Sequence, residues 1–466
     1  MLLRAACAGM IFLHFLFWAS PVVAGSDDES AASWLPFSSK ESNEARGRLA
    51  KQGVEFGLIY VMDNITNVTG GTRRGGIQFG RFDPYLDLDL EKLMGWRGAT
   101  LHANAYGLYG TGLTHTHILN LATISEIEAL PDLRLYELWI EQTLWGGAIA
   151  IKVGQQAADV EFFDSETDDL FINATFGWPA IFSQDLPAAG PSPPIAVPGI
   201  RLKGQFSDHI TAFGAVFNGN PAGPSCTKPP QLCDEHGLAF RVNDDPWLIG
   251  QIKFDYSLLF GTSSLPGNFT PGAWYHTGPF DDKHFTAMGQ SIADPSGSGL
   301  PNKLRGNYGV FATLEQTLYR APGADQKGIS ATAKGITTFA RAAFSPSDRN
   351  LIDFYADYGI SFNRLIPGRP EDRFGFAAAY MHISNDVRLL DEDVEHFGGQ
   401  PMPLRTFEMV VEAIYEAHIK PGWLLQPFFQ YVFRPAGGIQ NPYNPPGTTT
   451  RIGDAAIFGL TSTIRY

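Results

Sequence analysis

Charged and aromatic residues recur at every second position in several short stretches of this chain. Arg81, Asp83 and Tyr85 form one such set, opposite Phe82, Leu86 and Leu88, and Glu137, Trp139 and Glu141 form another. Lys152, Arg201, Lys203, Glu315, Arg341 and Arg373 occupy the same parity in other alternating stretches. In an extended strand, residues two apart share a face, so each set presents donors, acceptors and rings to one side. Ionised side chains exchange hydrogen bonds with hydroxyls, and aromatic rings cover apolar faces. At a constriction, such groups hold hydroxyl-rich solutes weakly and release them to water. The competing use is a lattice of wall-to-wall ion pairs that only stiffens the scaffold.

Other chemistries find less support. The sequence has no Gly-x-Ser-x-Gly elbow, no His-Glu-x-x-His pair and no Walker-type phosphate loop, so no catalytic residue and no cofactor are expected. Carboxylate pairs of the kind that hydrolyse glycosides can be chosen freely from 48 acidic residues and decide nothing. His115 and His117 sit in a Thr-rich stretch and read as a polar loop face rather than a zinc site. The run Asp159, Glu161, Asp164, Glu166, Asp168 and Asp169 opens the long connection 157–199. It lacks the Gly-punctuated spacing of an EF-hand, and Ca²⁺ binding stays an open alternative there. With 34 basic against 48 acidic residues and a net charge of −14, the chain repels nucleic acid.

The N-terminus predicts export. Arg4 precedes an apolar run from Ala5 to Trp18, and Val22-Val23-Ala24 supplies the small-residue cleavage pattern of a leader spanning 1–24. The run falls short of the roughly 20 apolar residues of a membrane-spanning helix. Cys7 leaves with the leader, which keeps Cys226 and Cys233 in the exported chain. In an oxidising compartment this pair reads as a disulfide within a Gly/Pro-rich loop, and with His236 it supplies too few ligands for a metal. Residues 25–52 start rich in Ser, Asp and Glu and become helix-like over Asn43–Gln52. They predict a tether and a short helix, a periplasmic or plug segment inside or beneath the unit that follows.

The elements that must position the alternating sets run from 53 to 466. No apolar run comparable to the leader recurs, and 13% aromatic residues, 50 Gly and only 18% charged residues suit many short strands with Gly turns. In Phe407–Ile419, Phe407, Met409, Val411, Ala413, Tyr415 and Ile419 share one face while Glu408, Glu412 and Glu416 share the other. In Asn350–Phe362, Ile352, Phe354, Tyr358, Ile360 and Phe362 oppose Asp353 and Asp357. An outer face in lipid and an inner face in water explain both patterns. About sixteen such segments can be marked, among them Val54–Val61, Ala273–Thr277, Tyr308–Tyr319 and Ala455–Tyr466. The long connections fall after odd-numbered segments and most short turns after even ones. The fold class is therefore all-β, a transmembrane antiparallel barrel of about sixteen strands in a bacterial outer membrane.

Several stretches resemble the carbohydrate-selective porins of the OprB type. One is Glu408 to Gly438, with Glu412, Tyr415, Trp423, Leu425-Gln426-Pro427, Gln430-Tyr431 and Arg434-Pro435-Ala436-Gly437-Gly438. Others are Leu365-Ile366-Pro367-Gly368-Arg369-Pro370-Glu371-Asp372 followed by Gly375 and Ala379-Tyr380, then Glu315-Gln316-Thr317-Leu318-Tyr319-Arg320, and more weakly Gly47-Arg48-Leu49 before Gly53. The resemblance implies a narrow pore that passes glucose-like sugars without catalysis. Phe428-Phe429 departs from the family pattern, which bears on sugar preference more than on fold. Tyr466, ending the last segment, resembles the aromatic mark by which the barrel assembly machinery recognises its clients. A nonselective diffusion porin is the nearest alternative, and an outer-membrane barrel enzyme or a secreted sugar-binding protein the more distant ones.

Overall fold

Half-apolar strands in lipid must close on themselves, because an open edge leaves backbone N–H and C=O groups unmet. The computed structural model shows that closure. It describes residues 40–260, 263–321, 329, 333–445 and 448–466, so the expected leader and the tether before residue 40 lie outside the described residues. The first eight strands are β1 (Val54–Gly71), β2 (Gly75–Asp89), β3 (Ala99–Tyr109), β4 (Asp132–Leu144), β5 (Ile149–Gln156), β6 (Val197–Ser207), β7 (Ile210–Asn218) and β8 (Pro246–Phe260). The second eight are β9 (Ser263–Thr286), β10 (Pro301–Arg320), β11 (Gly335–Phe344), β12 (Ile352–Asn363), β13 (Arg373–Ile383), β14 (Phe407–Lys420), β15 (Trp423–Phe433) and β16 (Gly453–Arg465). Each pairs with its sequence neighbours, and β1 pairs antiparallel with β16 to close the barrel. A helix, α1 (Lys40–Gln52), precedes β1, and its Arg46 guanidinium lies 5.2 Å over the Tyr466 ring.

The two faces follow the expected parity. On β14, Glu408, Val410, Glu412, Ile414 and Glu416 are buried while Met409, Val411 and Ala413 are half-exposed. Tyr358, Phe376, Phe458 and Leu460 are exposed on the outer wall. Val411 lies in this outer belt, between Ala378 and Tyr431 on the flanking strands. Replacing Val411 with Arg is expected to destabilise the barrel by about 2–4 kcal/mol, the range for a cation at the bilayer midplane. Denaturant titration in liposomes checks the figure.

Several ends differ from the sequence reading. β1 extends past Val61 to Gly71, because the Asn/Asp-rich continuation that looks like a turn carries buried Asp63, Ile65 and Asn67 on its inner face. β9 is far longer than Ala273–Thr277. Pro266, Pro271 and Pro279 lie within it, paired with Ser257, Ala312 and Arg305, and prolines ordinarily demote a segment as a strand. β10 correspondingly begins at Pro301 instead of Tyr308. Ile352, expected on the lipid face with Phe354, is fully buried, because the β12–β13 register shifts between these two residues.

Glycine has a specific place in the wall. An added Cβ at Gly459 would stand 2.1 Å from the Phe428 ring, and one at Gly359 would stand 2.2 Å from the Phe339 ring. Both rings face inward and are buried, lying flat across the neighbouring strand where no side chain intervenes. This accounts for Phe428, one half of the departure from the family pattern. Phe429, the other half, points outward and packs on Phe458, with centroids 4.9 Å apart.

Candidate functional site

The site is built by a loop folded into the barrel. The connection 157–196 between β5 and β6 turns back into the lumen and buries Phe162, Phe163, Phe171, Phe176 and Phe182. They pack on inward-facing Phe217, Trp247, Trp274, Phe311 and Phe339 of β7 to β11. The inner wall from β7 to β11 thus carries an apolar patch covered by protein, where the sequence reading had water against it. Burial of each ring contributes roughly 1.5–3 kcal/mol.

Polar side chains of the wall fasten this loop chiefly through its backbone. Glu412 accepts the N–H groups of Ile172 and Asn173 at 2.8 and 2.9 Å. Arg341 pairs with Asp357 at 2.6 Å and with Asp168 of the loop at 2.8 Å, and donates to the carbonyls of Phe163 and Phe176 at 2.9 and 2.6 Å. Glu315 accepts the hydroxyls of Ser165 and Thr167 at 3.0 and 2.5 Å. Glu408 holds a second infolded connection, between β3 and β4, through the N–H groups of Leu121 and Ala122. Buried carboxylates that meet several N–H groups are satisfied, and the loop backbone loses its need for water.

The other side of the loop carries charge. Asp159, Glu161, Asp164, Glu166 and Asp169 are partly exposed, alternating with the buried anchors. Across from them stand basic side chains of the wall. Glu161 pairs with Lys152 and lies 2.5 Å from Arg201, which also pairs with Glu141. Arg373 joins Glu416 at 2.7 Å and Asp169 at 3.0 Å. Burial resists ionisation of Glu161, but the Lys152 ammonium and Arg201 guanidinium override it and hold the carboxyl down at about 2. For Asp164, burial pushes the carboxyl up to about 7 against the pull of Arg341. For Glu166, burial and then repulsion from Glu315 push it up to about 8. Both are neutral below these values and anionic above them. Raising the pH from about 6 to about 9 is therefore expected to add negative charge at the loop edge and increase cation over anion permeability. The reversal potential in a KCl gradient reads this shift.

The residues singled out in the sequence all face inward, but they divide into two groups. Glu315, Arg341 and Arg373 lie against the docked loop and are its fasteners. Arg81, Asp83, Tyr85, Glu137, Trp139, Glu141, Lys152, Arg201 and Lys203 lie on the wall from β2 to β6. There Asn104 donates to Asp83 at 3.0 Å, His102 stacks on Trp139 at 4.9 Å and Lys152 lies 4.5 Å from the Trp139 ring centre. Lys203 sits 5.6 Å over Phe213. Buried ion pairs and partly exposed side chains thus coexist on one wall. The sequence reading missed the apolar anchors and the clamping roles of Glu408 and Glu412. Their four-residue spacing on β14 was visible, but its target lies more than 200 residues away.

Among the described residues, no group of three or more His, Cys, Asp or Glu side chains could hold a metal ion. His117 faces Arg73, whose Nε lies 3.3 Å from its Nε2. Cys226 and Cys233 are joined in a disulfide within the β7–β8 connection.

Comparison with known proteins agrees with this architecture. The chain is 24% identical to Porin B of Pseudomonas aeruginosa over 446 residues, covering 91% of this chain and 92% of that one. It is 20% identical to the putative porin QuiX of Acinetobacter baylyi, covering 90% and 91%. The high-pH structure of Pseudomonas putida OprB superposes with a TM-score of 0.78 at 21% identity, covering 91% of this chain and 97% of that one. The model of the carbohydrate-selective porin OprB family matches residues 73–466, and the chain therefore belongs to that family of bacterial outer-membrane porins.

Proposed function

We propose that small neutral sugars of glucose size cross the outer membrane through the gap between the carboxylate edge of the β5–β6 loop and the wall of β2 to β7. The observation that carries this reading is the pairing of Glu161 with Lys152 and Arg201. It brings charges of both signs together at the border of the gap, and paired charges offer hydroxyls donors and acceptors without a net field that favours ions. Arg81, Asp83, Tyr85, Glu137, Trp139 and Lys203 form the wall along which the sugar exchanges its hydrogen bonds. Glu315, Arg341 and Arg373 act one step removed, by setting the position of the loop. The helix α1 and the residues before it serve as a periplasmic segment at the mouth where Arg46 meets Tyr466. Tyr466, bonded through its backbone to Leu58 beside the β1–β16 seam, serves as the mark for barrel assembly.

Liposome swelling tests the reading. Proteoliposomes should swell faster in glucose than in a disaccharide or in a charged solute of glucose size. Equal rates for neutral and charged solutes would instead assign a nonselective diffusion pore.

A further inference from the structure

The wall facing the loop's first turn holds a group of buried polar atoms that meet no partner. Arg81 on β2 is 2% exposed, and its buried Nε has no hydrogen-bond acceptor. Its guanidinium lies 4.6 Å over the ring of Tyr106 on β3. Tyr106 in turn stacks on Tyr136 of β4, with centroids 4.2 Å apart. Tyr136 is 4% exposed, and its hydroxyl also has no partner. Oδ1 of Asp159, at the start of the loop, is a third buried atom without one. The Asp159 carboxyl is close enough to act electrostatically on both tyrosines. A folded chain rarely leaves so many buried donors and acceptors unmet at one place unless a ligand or ordered water completes them.

We propose that Arg81, Tyr136 and Asp159 form a subsite that takes adjacent hydroxyls of a neutral sugar or polyol. The proposal rests on the sugar-conducting reading above and deepens it. The Tyr106 ring is engaged by Arg81 and Tyr136, so recognition falls to hydrogen bonds at the edges of these groups rather than to stacking. The guanidinium fork donates to two neighbouring oxygens, a geometry that an ammonium cannot reproduce. Burial and then repulsion from Glu137 push the Asp159 carboxyl well above its usual range, and its unmet Oδ1 completes the set that faces a hydroxyl. Asp83 lies two residues from Arg81 on the same inner face and offsets its charge. An anionic sugar acid therefore gains nothing over the neutral sugar.

Single channels of the purified protein in a planar bilayer separate the parts of this argument. The ion current of the unmodified protein in KCl tests the porin reading alone. D-Glucose added to the same bilayer should interrupt that current, and D-gluconate at equal concentration should do so less. Tyr136→Phe removes only the unmet hydroxyl and should weaken the glucose block by about fivefold, the value of one neutral hydrogen bond. Arg81→Lys keeps the charge but loses the fork, and should weaken the block further. Heat-dependent gel mobility verifies that each variant is a folded barrel. Undiminished block in both folded variants would overturn the subsite, and would mean that water alone fills it. Stronger block by gluconate in the unmodified protein would overturn the neutral-ligand assignment even if neither variant folds. A parent protein that passes no ions would instead defeat the porin reading.

Discussion

Removing β16 is expected to abolish membrane insertion outright. This strand pairs with β15 along Trp423 to Val432 on one side and with β1 from Ile59 to Gly71 on the other. Its loss would open two edges at once, and each backbone group left unmet in hydrocarbon costs several kcal/mol. A soluble sandwich can lose an edge strand and keep its core, whereas a barrel has no edge to lose. Full-length protein should run at different positions on a denaturing gel before and after heating, and protein truncated after Thr450 at one position only. A truncated protein that still inserts and conducts would refute the closed barrel.

The second large effect is expected at Arg341. Its side chain is fully buried between Asp168 and Asp357 and also supports two loop carbonyls. Arg341→Met would leave two carboxylates buried without their cation, a change that costs about 3–5 kcal/mol when one member of such a set is removed. The loop would lose its central fastener while the wall pairing of β11 stayed intact. Reduced unfolding midpoints together with larger and noisier single-channel currents are the expected signature. Unchanged currents would show that the aromatic anchors alone hold the loop.

The barrel was legible in the sequence because lipid outside imposes a local rule. Met409 and Val411 must alternate with Glu408 and Glu412 whatever the distant chain does, so sixteen strands and their pairing order could be read in advance. The same rule misled where it met prolines, as in β9, and where a bulge reversed parity, as at Ile352. The functional site was less legible for a physical reason. Parity predicts that Arg341 and Lys203 both face inward, but not that a loop buries one and leaves the other partly exposed. Nor does it distinguish Trp247 or Phe311 in a wall from the same residues in a lipid belt, since both surroundings are apolar. Those distinctions depend on where residues 157–196 come to rest, which no window of neighbouring sequence contains.

The way that loop is fastened carries a consequence for how such a channel can change. Glu412 grips the backbone amides of Ile172 and Asn173, and Glu408 those of Leu121 and Ala122, which every residue but proline possesses. The grip is blind to side-chain identity at the points it holds. Residues on the free side of the loop, such as Asp164 and Glu166, can therefore be exchanged like inserts in a frame that has no need to refold around them. A library randomised at those two positions should yield mostly folded barrels that differ in the solutes they admit, making the loop a cartridge for retuning selectivity by substitution alone.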